Sequence, residues 1–175
     1  HGHLNHWGIG QFGNFPVEAM QARRKAGDTL WFTTDGQMCL DTPTLGTERL
    51  LPWLCWKYDV EGYEFWGVNW WTYDPWDRAW HRFIHQSDEG QKHYYVRYPN
   101  GDGYLTYPGA RVGVNGPVSS IRLEQVREGI EDYEYFVLLD RLLAQAKAQG
   151  IATKDAEAVR AAAQAMVTIP NKGGR

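Results

Sequence analysis

Asp28-Thr29-Leu30-Trp31-Phe32-Thr33-Thr34, then, after an intervening apolar-periodic stretch, Val60-Glu61-Gly62-Tyr63-Glu64-Phe65-Trp66-Gly67-Val68-Asn69-Trp70, are the two runs on which the fold turns. Both are rich in β-branched and aromatic residues, and the first ends in the turn pair Asp35-Gly36, so each reads as a strand. Between them Leu45, Leu50, Leu51, Leu54, Cys55 and Tyr58 recur at helical spacing, which predicts a helix over about 47–58; Pro52 restricts where it starts. On the other side, Leu4-Asn5-His6-Trp7-Gly8-Ile9 reads as a short strand, followed by a glycine-rich turn and a helix from Pro16 to about Lys25, closed by Gly27. Strand, helix, strand, helix, strand with short connections is the pattern of parallel pairing.

Downstream the character changes. Residues 71–118 are dense in Gly, Pro, Asp, Tyr and His with little periodicity, which predicts a long elaborated loop with one hairpin, covering a site. Ser119-Ser120 offers an N-cap to a long amphipathic helix from Ile121 to about Gln149, with Ile121, Ile130, Tyr133, Val137 and Leu138 among its apolar positions and Gly150 at its end. A second, Ala-rich helix spans Lys154 to Thr168 and is closed by Pro170. The chain therefore divides into 1–150 and a C-terminal helix and tail, 151–175. Three parallel strands do not close a barrel of eight, which takes about 250 residues. The expectation is an α/β fold: either an open sheet or the C-terminal portion of a (β/α)8 TIM-type barrel, about three strands followed by long helices.

Composition narrows the function classes. A formal net charge of -3 leaves no basic field for a phosphate backbone or an anionic membrane, so nucleic acid is not an expected partner. No apolar stretch has the length of a membrane span, and the start His1-Gly2-His3-Leu4 carries neither an initiator Met nor a signal peptide, which reads as a beginning inside a longer protein. Nine Trp and ten Tyr, many between Trp53 and Tyr107, suit the apolar faces of sugars as well as a core. Cys39 and Cys55 form no CxxC pair. His1 with His3, and His81 with His85, offer pairs that could converge, but no HExxH and no third ligand accompanies them; no metal and no cofactor is expected. A G-x-S-x-G elbow, a P-loop and a G-x-G-x-x-G after a strand are all missing from the sequence.

Alternation puts Trp31, Thr33 and Asp35 on one face of their strand, with Asp35 at the C-terminal mouth where barrel enzymes hold their chemistry; Asp35-Gly36 also reads as a plain turn. On the next strand Glu64, Trp66 and Val68 share a face, opposite Phe65, Gly67 and Asn69. Arg127 and Glu131 are spaced for an i,i+4 ion pair on the long helix. Arg122, Asp132 and Glu134 are assigned structural roles with them. Asp102 in its glycine-flanked loop reads as a turn-maker.

Several runs carry a resemblance. Asp41-Thr42-Pro43, Arg49, Trp53, Lys57-Tyr58 and residues 62–71, with Gly101-Asp102-Gly103-Tyr104-Leu105-Thr106-Tyr107-Pro108-Gly109, Gly116-Pro117-Val118-Ser119-Ser120-Ile121-Arg122-Leu123-Glu124 and Arg127-Glu128-Gly129-Ile130-Glu131-Asp132-Tyr133-Glu134-Tyr135, resemble the last strands of the glycoside hydrolase 123 family and its uncharacterised relatives, the DUF4091 domains. The resemblance covers roughly residues 28–140. It implies a (β/α)8 barrel and hydrolysis of a glycosidic bond. In characterised members it implies removal of N-acetylgalactosamine by an adjacent Asp-Glu pair working with the substrate's own acetamide. The one adjacent pair here, Asp88-Glu89, lies in the long loop and reads as a solvated turn, which puts the catalytic pair in strands upstream of this sequence.

Substrate contacts are therefore expected from Trp31, Asp35, Trp66, Asn69, Trp71 and Tyr104, with Tyr107 within reach and Asp35 and Glu64 as the weak candidates for catalysis. The expected partners are a carbohydrate substrate and the missing N-terminal strands, or another chain, that complete the fold; a non-catalytic carbohydrate-binding relative, or an interaction domain of a larger protein, is the alternative. Where relatives carry Tyr and Cys after Leu30-Trp31-Phe32, this chain has Thr33-Thr34-Asp35-Gly36, a departure that bears on N-acetylgalactosamine specificity. A secreted or periplasmic setting is what polysaccharide-degrading relatives suggest. Expressed alone, a sheet with an open edge is expected to associate or dissolve poorly.

Overall fold

A computed structural model describes residues 2–9, 16–34, 46–71, 74–77, 81–86, 93–98, 101 and 103–169. Strands β1 (Leu4–Ile9), β2 (Thr29–Thr34) and β3 (Gly62–Phe65) form a parallel sheet in that order, with helix α1 (Val17–Lys25) between the first two and α2 (Gly46–Tyr58) between the last two. The register sets His6 beside Trp31 and Trp31 beside Gly62, one residue out of step with the row Trp7, Phe32, Tyr63. Because strand side chains alternate, these two rows face opposite ways.

The row of Phe32 is the core side. Leu30 and Phe32 are fully buried with Met20 of α1 and Leu51, Leu54 and Cys55 of α2, and Trp7, Tyr63 and Phe65 pack against them. Helix α1 ends as its glycine signal predicts: the Gly27 N–H donates to the Arg24 carbonyl at 3.0 Å and the Asp28 N–H to the Arg23 carbonyl at 3.1 Å, the paired bonds of a Schellman motif. Buried Asp28 then accepts from the His3 N–H at 2.9 Å, Asn5 Nδ2 at 2.7 Å and Arg23 Nε at 2.6 Å, tying the N-terminal ends of β1 and β2 to α1. These donors, the His3 N–H above all, hold its carboxyl below the usual range.

Pro52 lies inside α2, six residues after its start. It costs the helix one backbone bond, offset by the burial of Leu51, Leu54 and Cys55 around it. The strand predicted over 60–70 is shorter, ending at Phe65. Beyond it the chain pairs elsewhere: the Trp70 N–H donates to the Gly103 carbonyl at 2.9 Å, the Leu105 N–H to the Val68 carbonyl at 2.7 Å, and Asn69 forms an antiparallel bridge with Tyr104. The predicted single hairpin also becomes two antiparallel pairs, β4 (His81–Gln86) with β5 (His93–Tyr98), and β6 (Thr106–Pro108) with β7 (Pro117–Ser119) around a 3₁₀ turn, Gly109–Val112.

Helix α3 (Ile121–Ala148) starts on Ser120, whose Oγ accepts from the Leu123 N–H at 3.3 Å and donates to the Leu105 carbonyl at 2.6 Å. Its packing face is only partly the one predicted: Tyr133 packs against the core, but Ile121, Ile130 and Val137 are exposed, and α2 is met by Gly129, Asp132 and Phe136. At Gly129 the helices touch through backbone, since a Cβ there would lie 2.4 Å from the Arg49 carbonyl oxygen. Phe136 stacks on Trp56 with centroids 4.2 Å apart and meets Trp53 edge-on at 4.7 Å. On the far side α4 (Lys154–Met166) is tied to α3 by Arg160 Nη2 and Asp140 Oδ2 at 3.3 Å, and the chain after it returns Val167 and Ile169 to the same core as β2. No helix among the described residues is long and apolar enough to cross a membrane.

Candidate functional site

With α1 and α2 packed on the core face, the opposite face of the sheet carries a row from each strand: His6, then Trp31, then Glu64 one step further along β3. Trp31 is 37% exposed, a large apolar side chain to leave in water. It is held in place from both sides. The His6 ring stacks on it at 5.8 Å with planes 16° apart, and the indole lies over Gly62, where a Cβ would meet its ring at 3.0 Å. His6 Nδ1 lies 3.7 Å from Glu64 Oε2, both side chains about half exposed. Thr33, level with Glu64, has a buried Oγ1 with no hydrogen-bond partner among the described residues, and Gly8 beside it leaves space, since a Cβ there would meet nothing within 4 Å.

The chain leaving the C-terminal end of β3 builds a second group. Trp66 meets Trp70 at 4.7 Å and Phe65 at 6.3 Å, and its ring covers Gly103, which adopts φ +82° and has no room for a side chain under the indole. Tyr104 is 3% exposed, its ring 4.6 Å from the Arg122 guanidinium and 5.6 Å from Tyr107. Arg122, itself 1% exposed, donates Nε to the Tyr104 carbonyl at 2.9 Å, so the structural role expected for it is to anchor this loop to α3. Trp71 donates its indole N–H to the Thr106 carbonyl at 3.0 Å, and Asn69 is exposed.

Of the six predicted contact residues, Trp31 stands on the sheet face beside Glu64; Trp66, Asn69, Trp71 and Tyr104 gather in the loop after β3; and Asp35 lies outside the described residues, as do Asp88-Glu89 and Asp102. The predicted sharing of a strand face by Glu64, Trp66 and Val68 does not hold, because the last two lie beyond the strand.

Residues 4–139 match the family described as Glycoside hydrolase 123, catalytic domain. The chain belongs to this family. No curated protein matches it. In this glycoside hydrolase 123 domain the exposed Trp31 offers a flat apolar face on the same side of the sheet as the Glu64 carboxylate.

Sequence reasoning missed His6 in this site. The signal was available in the period-2 pattern of β1, but it becomes useful only once the register with Trp31 is known. His81 and His85, the pair four residues apart, fall on β4 of this glycoside hydrolase 123 domain. Among the described residues no group of three His, Cys, Asp or Glu is placed to hold an ion.

Between β3, α2 and α3 runs a groove of about 500 Å³, lined by Trp31, Pro52, Tyr63, Ile130 and Tyr133 together with the carboxylates Glu61 and Glu134. Among the described strands β3 pairs only with β2. Cys55 also borders it, its thiol pushed up to about 12 by burial.

Proposed function

We propose that this chain is part of the wall of a (β/α)8 barrel glycosidase, with residues 1–150 supplying the last three strands and 151–175 a closing helix and tail. The observation that carries the reading is the one-sided sheet. Parallel strands with helices on one face and an exposed second face bearing His6, Trp31 and Glu64 have the arrangement of a barrel wall, whose inner side faces the other strands. The edge of β3 that is unpaired among the described strands, with the groove beside it, is where a further strand of the barrel would pair, and the missing N-terminal strands are its proposed occupants.

In this reading a carbohydrate lies over the C-terminal ends of the strands. Trp31, Asn69 and Asp35 contact it, and Trp66, Trp71 and Tyr104 shape the wall behind. The acid is supplied by an Asp-Glu pair upstream of this sequence: the Glu protonates the leaving oxygen while the Asp orients the substrate's acetamide, whose oxygen attacks the anomeric carbon. An N-acetylhexosaminide is the substrate such chemistry requires.

The test is hydrolysis of a panel of aryl glycosides, β-N-acetylgalactosaminide included, by this chain alone and by the gene product extended upstream. Cleavage only by the extended form supports the reading. Cleavage by the 175-residue chain moves catalysis to its own carboxylates, with Asp35 and Glu64 the first to replace. If neither form cleaves any glycoside yet sugars bind, the chain acts as a carbohydrate-binding relative.

A further inference from the structure

We infer that two copies of this chain associate through α3, the helices antiparallel, with Tyr135 of each copy packed on its partner's Leu138 and Glu134 of each ion-paired with its partner's Arg141. The surface involved faces away from the sheet, so the inference does not depend on the barrel reading above.

The packed side of α3 carries Gly129, Asp132, Phe136, Asp140 and Leu143. At about 100° per residue, Tyr135, Leu138 and Leu142 stand on the side turned away from them. Tyr135 is 72% and Leu142 51% exposed, and Leu138 between them is partly exposed. Large apolar side chains grouped in water mark a contact surface. Spacings of three and then four residues are those of a coiled-coil seam, so the shape that fits this one is another helix.

Charge decides which helix. Arg127 holds Glu124, Glu128 and Glu131 of its own helix, and Lys147 holds Glu157 of α4. Among the described residues the exposed Glu134 and Arg141 form no such pair. They are seven residues apart on one side of the helix, about 10 Å along its axis, too far to close on each other. A second copy, turned about a two-fold axis between Phe136 and Val137, brings each Glu134 to its partner's Arg141 and each Tyr135 to its partner's Leu138. A parallel copy sets Glu134 on Glu134 instead. The same holds along the seam: before Tyr135 it is bordered by Glu124, Glu128, Glu131 and Glu134 against Arg127, and after it by Arg141 with no exposed carboxylate. Such a helix is complementary to itself only when reversed. One helix on each side makes a small interface, so the dimer is expected to exchange with monomer in the micromolar range.

The experiment is sedimentation velocity of the 175-residue chain across that range, with Glu134→Arg, Arg141→Glu and the two combined. A concentration-dependent equilibrium between monomer and dimer is expected for the parent. Each single reversal sets like charges together at two places and is expected to weaken the dimer about tenfold, and the double variant to regain it. Both side chains are exposed, so the circular dichroism spectrum is expected to stay that of the parent. Tyr135→Glu, which puts a carboxylate into the seam, is expected to abolish dimerisation. A parent that stays monomeric overturns the inference. Association that none of the variants changes, as pairing through the edge of β3 gives, overturns it too. A double variant no stronger than the single ones also overturns it and points to a partner other than a second copy.

Discussion

Trp53 of α2 donates its indole N–H to the Asp132 carboxylate of α3 at 2.9 Å, and Arg49, one turn earlier, closes on the same carboxylate through two bonds of 2.8 and 3.1 Å. Two turns along α3, Asp140 repeats the arrangement with Trp56 at 2.9 Å. Replacing Asp132 by Ala strands two donors, and a loss of about 1–3 kcal/mol is expected in urea unfolding. Most of it belongs to the indole, since Arg49 is 40% exposed and its ion pair is weakened by solvent. Asp132→Asn, which keeps an acceptor oxygen, is expected to lose less; equal losses in the two variants would contradict this account.

The same carboxylates set an acid limit. Burial alone would push Asp132 and Asp140 up, but the bonds from Arg49 and Trp53, and from Arg160 and Trp56, outweigh it and hold both below the ordinary value. A folded-state pKa below the unfolded value of about 3.9 means the stabilisation is complete above that pH and lost as pH falls through the folded value. Thermal unfolding between pH 7 and 3 is therefore expected to show a fall in Tm beginning near pH 4, shallower in Asp132→Asn. Parallel curves for parent and variant would rule the pair out as its source.

Gly129 is where α2 and α3 meet through backbone. A Cβ placed 2.4 Å from the Arg49 carbonyl oxygen cannot be accommodated by turning a side chain, so one helix must shift. Gly129→Ala is expected to destabilise by about 1–3 kcal/mol, the usual range for overpacking, even though alanine favours a helix. A gain in stability would mean that the helices are farther apart than described.

At Gly62 the neighbour is a side chain, so the outcome differs in kind. Gly62→Ala presses on the Trp31 ring from 3.0 Å and is expected to reorient the indole at small cost in unfolding free energy. A changed near-ultraviolet circular dichroism signal with a Tm close to the parent's is the expected result, together with weaker sugar binding. An unaltered indole signal would show that Trp31 does not rest on this glycine.

Cys55 gives a chemical check on the core. With its thiol pushed up to about 12 by burial, almost no thiolate exists at pH 8, and maleimide is expected to label the Cys55 peptide only after denaturation. Labelling at the rate of an exposed cysteine would place the residue outside the core.

Much of this architecture was legible in the chain. The strands at Leu4 and Thr29, the helices at Val17, Gly46, Ile121 and Lys154, and the Ser120 cap follow from periodicity and capping chemistry. What failed has physical causes. The β3 run looked longer because residues 66–70 have strand composition, while their backbone bonds go to Gly103 and Leu105, partners distant in sequence. Beyond Tyr133, the packed face of α3 was not legible because Asp132 and Asp140 count as polar until Trp53 and Trp56 are seen to satisfy them. In the site, Trp31 and Glu64 were visible as residue types, but the link through His6 depends on strand register, which hydrophobic pattern alone does not fix.

The return of Val167 and Ile169 to the core has a practical bearing on where the chain can be cut. The family match ends at residue 139, yet both residues are 3% exposed within the core cluster that holds Leu30 and Leu54, and Lys57 Nζ donates to the Val167 carbonyl. Expression boundaries drawn from the family match alone would remove two plugs from the bottom of the hydrophobic layer, leaving a shorter polypeptide that is open to solvent where the longer one is sealed.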